Sequence, residues 1–278
     1  MKNHLFLFLI FPFFLHGQLT KEFKKHWFDG HAEISSYELT QSRYGEQRKG
    51  NAVLIFVTED FLPKEQVKAN RKSDQTIPVL KINRTKSFLT GIYPYSVMTS
   101  SFLSLRKDHS LIKSVASIQE WCGQSYLQLN NKMNSWQLIS HSYFEGEADQ
   151  QLSLEKSLSE DAIWTLLRLN PKSLPVGKFS ILPSLEQLRL DHLSIQPLLV
   201  EGRLAEGSYS LNFINTGRKF TIYFDSNFPY TIEGWEESYS TKEENYTSSA
   251  KRIHTERRQY WRENNLVNEP LRIPFKLH

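Results

Sequence analysis

The strongest grouping of potentially reactive residues surrounds the only cysteine of the chain. Residues 119–123 read Gln-Glu-Trp-Cys-Gly. A cysteine thiolate is a nucleophile, and a neighbouring glutamine could donate a hydrogen bond to an oxyanion. A base must first remove the proton from Cys122, and His109 and His141 lie on neighbouring predicted strands. The alternative is that Cys122 is a small apolar residue without a chemical role.

Histidines and carboxylates form weaker patterns. His26 and His31 flank Asp29, which allows either a surface metal site or two solvated histidines. Glu145 and Glu147 could supply the paired acids of a glycosidase, although acids also cluster in ordinary polar turns. The sequence contains no nucleophile elbow, phosphate-binding loop or EF-hand loop. We therefore assign no catalytic residue, no metal ligand and no cofactor from the sequence.

Polar and aromatic residues share faces of several strand-like segments. A face that mixes tyrosine, tryptophan, glutamine and arginine suits either a solvated surface or a cavity for a ligand with a polar head and an apolar body. The second interpretation makes the protein a carrier of a lipid or another amphiphile. Its predicted ligand-binding residues are Arg43, Tyr93, Tyr95, Gln119, Trp121 and Cys122.

The elements that must position these residues are mainly strands. The chain has 18 Phe, 12 Tyr and 6 Trp, and many of them alternate with polar residues between Asn- and Gly-rich turns, as in antiparallel sheets. Tight hairpin turns are predicted at residues 130–132 and 215–217, where Gly217 can adopt a positive φ. The predicted strands are 32–44, 51–60, 78–89, 91–103, 110–121, 124–130, 135–144, 187–203, 208–215, 218–225, 229–239 and 250–261.

A single short helix is predicted after Ser159. Ser159 is a suitable N-cap, acids follow it in the first turn, and Asn170-Pro171 ends the helix. The polar segment 145–158 leads into this helix. The fold expected is a large curled antiparallel sheet, a barrel or half-barrel, with the helix against its open side. Residues 18–278 form one β-rich domain in this interpretation; the alternative is a division within the proline-containing segment 170–183.

The N-terminus predicts export. Lys2 precedes an apolar run from Leu5 to Leu15, and Gly17 can precede a cleavage site, so residues 1–17 are typical of a signal peptide. No apolar run reaches the length of a transmembrane helix. A single cysteine allows no internal disulfide and, away from the cleavage site, no lipoprotein anchor. The mature protein is therefore expected in the periplasm or outside the cell.

Charge indicates no particular partner. The formal net charge is +4, and the basic stretch Lys251–Arg262 suits either a solvated strand face or an anionic surface. Export makes nucleic acid an unexpected partner. The sequence assigns no oligomeric state.

Motifs spread over nearly all of the mature chain resemble those of uncharacterised exported proteins of Gram-negative bacteria. They are Arg43-Tyr-Gly-Glu46, Phe56-Val-Thr-Glu59, Gly91-Ile-Tyr-Pro-Tyr-Ser96, Gln119-Glu-Trp-Cys-Gly123, Ser142-Tyr-Phe144, Leu174-Pro175 and Gly234-Trp-Glu236. Some proteins of this kind are labelled septum formation inhibitor Maf. True Maf proteins are cytoplasmic α/β nucleotide pyrophosphatases, and a signal peptide with a β-rich pattern contradicts that label. The pattern is also similar to exported half-barrel carriers of lipid-like ligands, which implies a carrier only by analogy of fold.

Three functions follow as hypotheses. The first is an envelope-associated protein that binds an amphiphile in a β half-barrel. The second is a hydrolase or transferase that uses Cys122. The third is a structural or partner-binding module, which requires an exposed apolar patch or an unpaired sheet edge.

Overall fold

The computed structural model describes residues 19–240 and 245–277. The predicted signal peptide, residues 1–17, lies outside the described residues. Within the described ranges, no helix is both long and apolar enough to cross a membrane.

The chain forms one large sheet, which confirms the predicted mainly β fold. In the sheet, the strands follow the order β10-β11-β12-β13-β14-β15-β16-β1-β2-β4-β5-β6-β7-β8-β9, and β3 pairs with β2. The strands are β1 (Ala32–Arg43), β2 (Glu46–Leu62), β3 (Val67–Lys68), β4 (Ile77–Thr90), β5 (Tyr93–Ser104), β6 (Leu111–Glu120), β7 (Gly123–Asn131), β8 (Ser135–Ser142), β9 (Gln150–Glu155), β10 (Leu158–Ser159), β11 (Gly177–Leu182), β12 (Leu198–Ala205), β13 (Ser208–Phe213), β14 (Arg218–Phe224), β15 (Ile232–Ser240) and β16 (Asn245–Arg258).

The sheet curls but does not close. Its edge strands are β9 and β10, which only residues 156–157 separate in sequence. Among the described strands, no ladder joins β9 to β10, and we call the gap between these two ends of the sheet the seam. All neighbouring strands are antiparallel except the short pair of β10 with β11. Both predicted hairpin turns are present, and Gly217 has a φ of 68°.

Three α-helices accompany the sheet: α1 (Lys21–Trp27), α2 (Glu160–Leu169) and α3 (Leu185–Leu190). α2 is the predicted helix, with the Ser159 side chain accepting a hydrogen bond from the backbone of Asp161. α1 and α3 were not predicted. Residues 187–203 were predicted as a strand, which is wrong at their start because Ser184 caps α3 there. Six residues are too few for a helical period to stand out from an alternating one.

The segment 170–183 contains a short 3₁₀ helix, Pro171–Ser173, followed by β11. β11 pairs with β12 on one side and with β10 on the other. The strands before and after this segment therefore belong to the same sheet. The polar segment 145–158 likewise contributes β9, which pairs with β8.

Helix α2 lies inside the curl and is buried along almost its whole length. Its Ile163, Trp164 and Leu167 belong to one apolar core with residues of β1, β2 and β4 and residues of β13, β14 and β15. Since strands from both halves of the sheet contact the same helix, the sheet wraps around α2. Burial of this core is the main driving force for the curl.

Charged residues of α2 pair with arginines and a glutamate on the inner face of the sheet. Arg168 donates to both carboxylate oxygens of Glu33 at 2.6 and 2.8 Å. Arg218 donates to both oxygens of Glu160 at 2.8 and 2.7 Å. Arg84 pairs with Asp161, completing three pairs whose six side chains are all buried.

The outer face carries the C-terminal segment. 3₁₀ helices at Tyr260–Arg262 and Leu266–Phe275 follow β16, and the second contacts β1 and β16. The basic stretch predicted from the sequence is largely neutralised within the protein. Arg252 pairs with Glu233, Arg257 with Asp29, and Arg258 with Glu256 and Glu263.

Replacing Glu33 by glutamine should destabilise the fold in a pH-dependent way. Burial alone would raise the pKa of Glu33, but the charge of Arg168, the hydrogen bonds that Arg168 donates and the nearby His26 hold this pKa at about 2. Because this pKa lies below that of an unfolded glutamate, the carboxylate stabilises the fold above about pH 4.3 and loses this effect as the pH falls towards 2. At pH 7, the change leaves Arg168 without its partner, and we expect a loss of about 3–5 kcal/mol.

The measurement is the free energy of unfolding in urea between pH 2 and 7, for the wild type, Glu33→Gln and the exposed control Glu206→Gln. The gap between wild type and Glu33→Gln should narrow by about 3 kcal/mol as the pH falls from 5 to 2. The control should follow the wild type throughout. A gap that stays constant over this range would contradict the assignment of the charge on Glu33.

Candidate functional site

All six predicted ligand-binding residues lie at one end of the sheet, and four of them, Arg43, Tyr93, Tyr95 and Trp121, form one group. The turns of the hairpins β1–β2, β4–β5 and β6–β7 and the β8–β9 connection all occur at this end, since antiparallel strands reverse direction at each turn. The ring of Tyr93 lies 6.0 Å from that of Tyr95 and 6.4 Å from that of Trp121, measured between centroids. Arg43 joins them through a long hydrogen bond of 3.5 Å to the Tyr95 hydroxyl.

Helix α3 closes the inner side of this group. The Arg43 guanidinium donates to the backbone oxygen of Leu190 at 2.5 Å, and the Tyr44 and Tyr95 hydroxyls are 2.6 Å apart. The remaining space beside Arg43 and Tyr95 is about 10 Å³, which is no more than the room for one water molecule. Ligand binding at these residues stays a prediction, and this geometry offers it no cavity.

The hairpin tips and connections at the same end expose several large side chains. Trp121 is 68% exposed and Ile92 is 84% exposed, and both are at hairpin tips. Tyr143 is also exposed and packs beside Gly123, where a Cβ atom would come within 2.7 Å of its ring. We call the exposed Tyr44, Ile92, Trp121 and Tyr143, together with the half-buried Tyr93, the aromatic rim. An exposed group of this kind is typical of a contact surface.

Cys122 and Gln119 are exposed on the β6–β7 hairpin. The backbone N–H of Cys122 donates to a Glu120 oxygen at 2.7 Å, and the hydrogen bond between the thiol and Glu120 raises the pKa of Cys122. The two candidate bases lie elsewhere. His141 pairs with Asp149 at 3.0 Å, and His109 lies near Ser104 at the opposite end of the sheet. The local electrostatics therefore favour the unreactive thiol over the thiolate.

The two histidines near the N-terminus have different partners and do not form a common site. His31 is 3.3 Å from Asp29, whereas His26 is 3.7 Å from Glu33. Within the described residues, no group of three or more histidine, cysteine or acidic side chains is placed to hold a metal ion.

The seam holds an apolar cavity that sequence reasoning did not find. It has a volume of about 450 Å³ and lies between α2, the start of β8 and the strands β10 and β11. We call it the seam cavity. Its apolar wall consists of Leu111, Trp136, Leu158, Ala162, Leu166, Pro175 and Phe179. Its polar lining is Asp108, His109, Ser110, Asn131, Lys156, Ser157, Ser159, Ser173 and Ser180.

Two polar side chains in the wall donate hydrogen bonds to the backbone, whereas the buried Ser157 hydroxyl has no hydrogen-bond partner. The Trp136 indole N–H donates to the backbone oxygen of Ser157 at 3.0 Å, and the Asn131 amide donates to the backbone oxygen of Leu111 at 2.7 Å. Because these donors are already used, they leave an apolar surface towards the cavity. The hydrogen bond from the Trp136 indole also links β8 to residues 156–157, which lie between the two edge strands. This link holds the wall in position.

One sequence signal for this cavity was available. Ala162 and Leu166 are four residues apart and share one face of α2, and Leu158 precedes them in β10. The opposite faces of α2 carry Ile163, Trp164 and Leu167, which pack into the core. Of the other wall residues, Leu111, Trp136 and Phe179 come from three separate strands, and their assembly depends on how far the sheet curls.

Two further spaces are less suited to an apolar ligand. A space of about 40 Å³ near α3 is lined by charged groups such as Lys86 and Glu186, which pair at 2.6 Å. A groove of about 490 Å³ outside the sheet lies against the segment Leu266–Phe275, and Arg258, Glu263 and Arg272 contribute to it. The seam cavity has fewer charged groups in its wall and is the better candidate site.

Comparisons with known proteins identify no family. No family model matches the chain, and no curated protein matches it. Among solved structures, the chain is similar to a β-barrel-like protein of the domain of unknown function DUF1849 from Brucella abortus. The similarity covers 82% of this chain and 98% of that chain, at 6% sequence identity and a TM-score of 0.48.

Replacing Glu120 by glutamine should make Cys122 more reactive. Without the carboxylate that favours the protonated thiol, the pKa of Cys122 falls and the thiolate fraction rises at a given pH. We expect faster alkylation by iodoacetamide between pH 7 and 9, followed by mass spectrometry. The control is Glu145→Gln, an exposed carboxylate in the β8–β9 connection. Equal alkylation rates in wild type and Glu120→Gln would show that Glu120 does not control the thiol.

Proposed function

We propose that this is an exported, envelope-associated protein that binds the apolar part of an amphiphile in the seam cavity. The observation that carries the proposal is the cavity of about 450 Å³ with an apolar wall, open at a gap in the sheet. Its volume is within the range of about 300–1,000 Å³ typical of small-molecule sites. The signal-peptide pattern of residues 1–17 supports the location.

The wall chemistry favours an alkyl or acyl chain over a polar ligand. Leu111 and Trp136 are buried, Leu166 and Phe179 are half-buried, and the indole N–H is already bonded. Each CH₂ group transferred from water into such a wall contributes about 0.8 kcal/mol. A chain of about ten CH₂ groups gains about 8 kcal/mol before the cost of association is subtracted. This gain is enough for measurable binding.

Catalysis by Cys122 receives no comparable support. The thiol is exposed and lies beside Glu120, which raises its pKa, and neither candidate histidine accompanies it. An activated cysteine requires the opposite environment, with a base or positive charge nearby.

Filling the cavity should abolish binding. Replacing the half-buried Leu166 by tryptophan places an indole in the cavity from the side of α2 that faces the seam. We expect a fluorescent fatty-acyl probe to bind at least about tenfold more weakly, a change of ~1.4 kcal/mol. The matched control is Leu199→Trp, since Leu199 is 45% exposed on β12 and lies outside the cavity lining.

Native mass spectrometry of protein purified from its own cell envelope provides the second readout. Wild type and Leu199→Trp should retain a lipid-sized adduct, and Leu166→Trp should lose it while keeping the same far-UV circular dichroism. The same spectra should give a chain mass that lacks residues 1–17. Equal probe binding by all three proteins would exclude the seam cavity as the site.

A second candidate, a partner-binding module, is favoured by the aromatic rim. Its exposed side chains occur on successive hairpins, and Tyr93 contacts Trp121, so the surface is continuous. Exposed clusters of aromatic residues are enriched at protein interfaces.

A photoreactive residue at position 92 should cross-link to one discrete envelope protein. The control position is Met133, which is 93% exposed on the turn between β7 and β8 at the opposite end of the sheet. We expect a product from position 92 and none from position 133, detected on gels and identified by mass spectrometry. The absence of a product at position 92, or the same product at both positions, would count against this candidate.

A further inference from the structure

Positive charge is concentrated around the mouth of the seam cavity. Lys156 lines the cavity directly. Four other lysines are next in sequence to lining residues: Lys107 precedes Asp108, Lys132 follows Asn131, Lys172 precedes Ser173 and Lys178 precedes Phe179. All five lysines are exposed. We call them the mouth lysines.

These charges are not neutralised within the protein. Among the ion pairs of the described residues, the lysines involved are Lys68, Lys81 and Lys86, so the mouth lysines take no part. The exposed carboxylates among the lining residues or next to them in sequence are Asp108 and Glu155. Glu160 and Asp161 also neighbour lining residues, but they are buried and paired with Arg218 and Arg84. Asp108 accepts hydrogen bonds from the Ser104 and Ser110 hydroxyls at 3.2 and 2.5 Å. Five ammonium groups are therefore opposed by two carboxylates.

Charged residues occur at the mouth of the cavity and are absent from its buried wall. The buried lining residues are Leu111, Trp136, Ser159 and Ala162, none of which carries a charge. The charged lining residues Asp108 and Lys156 are both exposed. Residues next to each other in sequence have Cα atoms about 3.8 Å apart, and exposed charges interact over about a Debye length, roughly 8 Å at physiological salt.

We propose that the ligand of the seam cavity is an amphiphile with an anionic headgroup. Its chain lies against the apolar wall, and its carboxylate or phosphate remains at the mouth, where the mouth lysines attract it. This inference rests on the proposed function, because it requires a chain in the cavity. A headgroup at the mouth stays partly hydrated, so its charge need not be transferred into the apolar interior.

The test compares two ligands that share a chain and differ in charge. Dodecanoate and dodecanol are titrated into the mature protein at pH 8 by displacement of a fluorescent probe. We expect dodecanoate to bind about tenfold more tightly than dodecanol at low salt, with the difference shrinking in 0.5 M NaCl. Lysophosphatidylglycerol is titrated in the same way. Comparing its affinity with that of dodecanoate distinguishes a preference for a phospholipid headgroup from a preference for a free carboxylate.

A triple variant tests the mouth lysines themselves. Lys132→Gln, Lys156→Gln and Lys178→Gln together should reduce the preference for dodecanoate to about twofold or less, since each exposed charge contributes about 1.5- to 5-fold. Dodecanol affinity should not change. The matched control replaces Lys49, Lys219 and Lys251 by glutamine, which removes the same charge from exposed positions outside the cavity lining.

The outcomes separate the two proposals. If dodecanoate and dodecanol bind equally well, the inference about the headgroup is wrong and the apolar cavity still stands. If the control triple variant weakens dodecanoate as much as the mouth variant, net charge rather than the mouth is responsible, and the inference is also wrong. If neither ligand binds, the proposed function fails, and the headgroup inference fails with it.

Discussion

Three buried arginine–carboxylate pairs fix helix α2 inside the sheet, and the rest of the structure depends on that position. Glu160 and Asp161 are at the start of the helix, whereas Arg168 is in its last turn. Seven residues of helix separate Asp161 from Arg168, or about 10 Å. Pairs at both ends fix where the helix lies along its axis and how it is rotated. A slide of one residue would leave several buried charges unpaired, at a cost of about 3–5 kcal/mol for each broken pair.

Aromatic rings help the protein to bury these guanidinium groups. Arg84 lies 4.8 Å above the ring of Trp164, Arg168 lies 4.6 Å from that of Phe56, and Arg218 lies 4.4 Å from that of Phe213. A cation over a ring face is attracted to it, which offsets part of the lost hydration. The acids in the first turn of α2 also interact favourably with the positive end of the helix dipole. The high aromatic content of the chain thus supports a charged interior as well as an apolar core.

The sequence predicted the sheet well because its signal is local. Alternating residues mark each long strand, and the turns at 130–132 and 215–217 follow from Asn and Gly. Short elements carried no such signal: α3 was assigned to a strand, and β11 lay in a segment expected to be a linker. The seam cavity could not be predicted in the same way, because Leu111, Trp136 and Phe179 meet only through the degree of curling. The buried partners of α2 were missed for the same reason, since Glu33 and Arg168 are 135 residues apart.

The cavity follows from the asymmetry of α2. The faces of the helix that contact the sheet carry the paired charges and the large side chains Ile163, Trp164 and Leu167. The face of α2 towards the seam carries the small Ala162 and the half-buried Leu166. The half-buried Leu158 of β10 lies next to this face. Because the ion pairs fix the rotation of the helix, it cannot turn a larger side chain into this space. No ladder joins the described strands β9 and β10, so the sheet leaves this gap open. The charged interior and the apolar cavity therefore both follow from the three ion pairs that fix the position of α2.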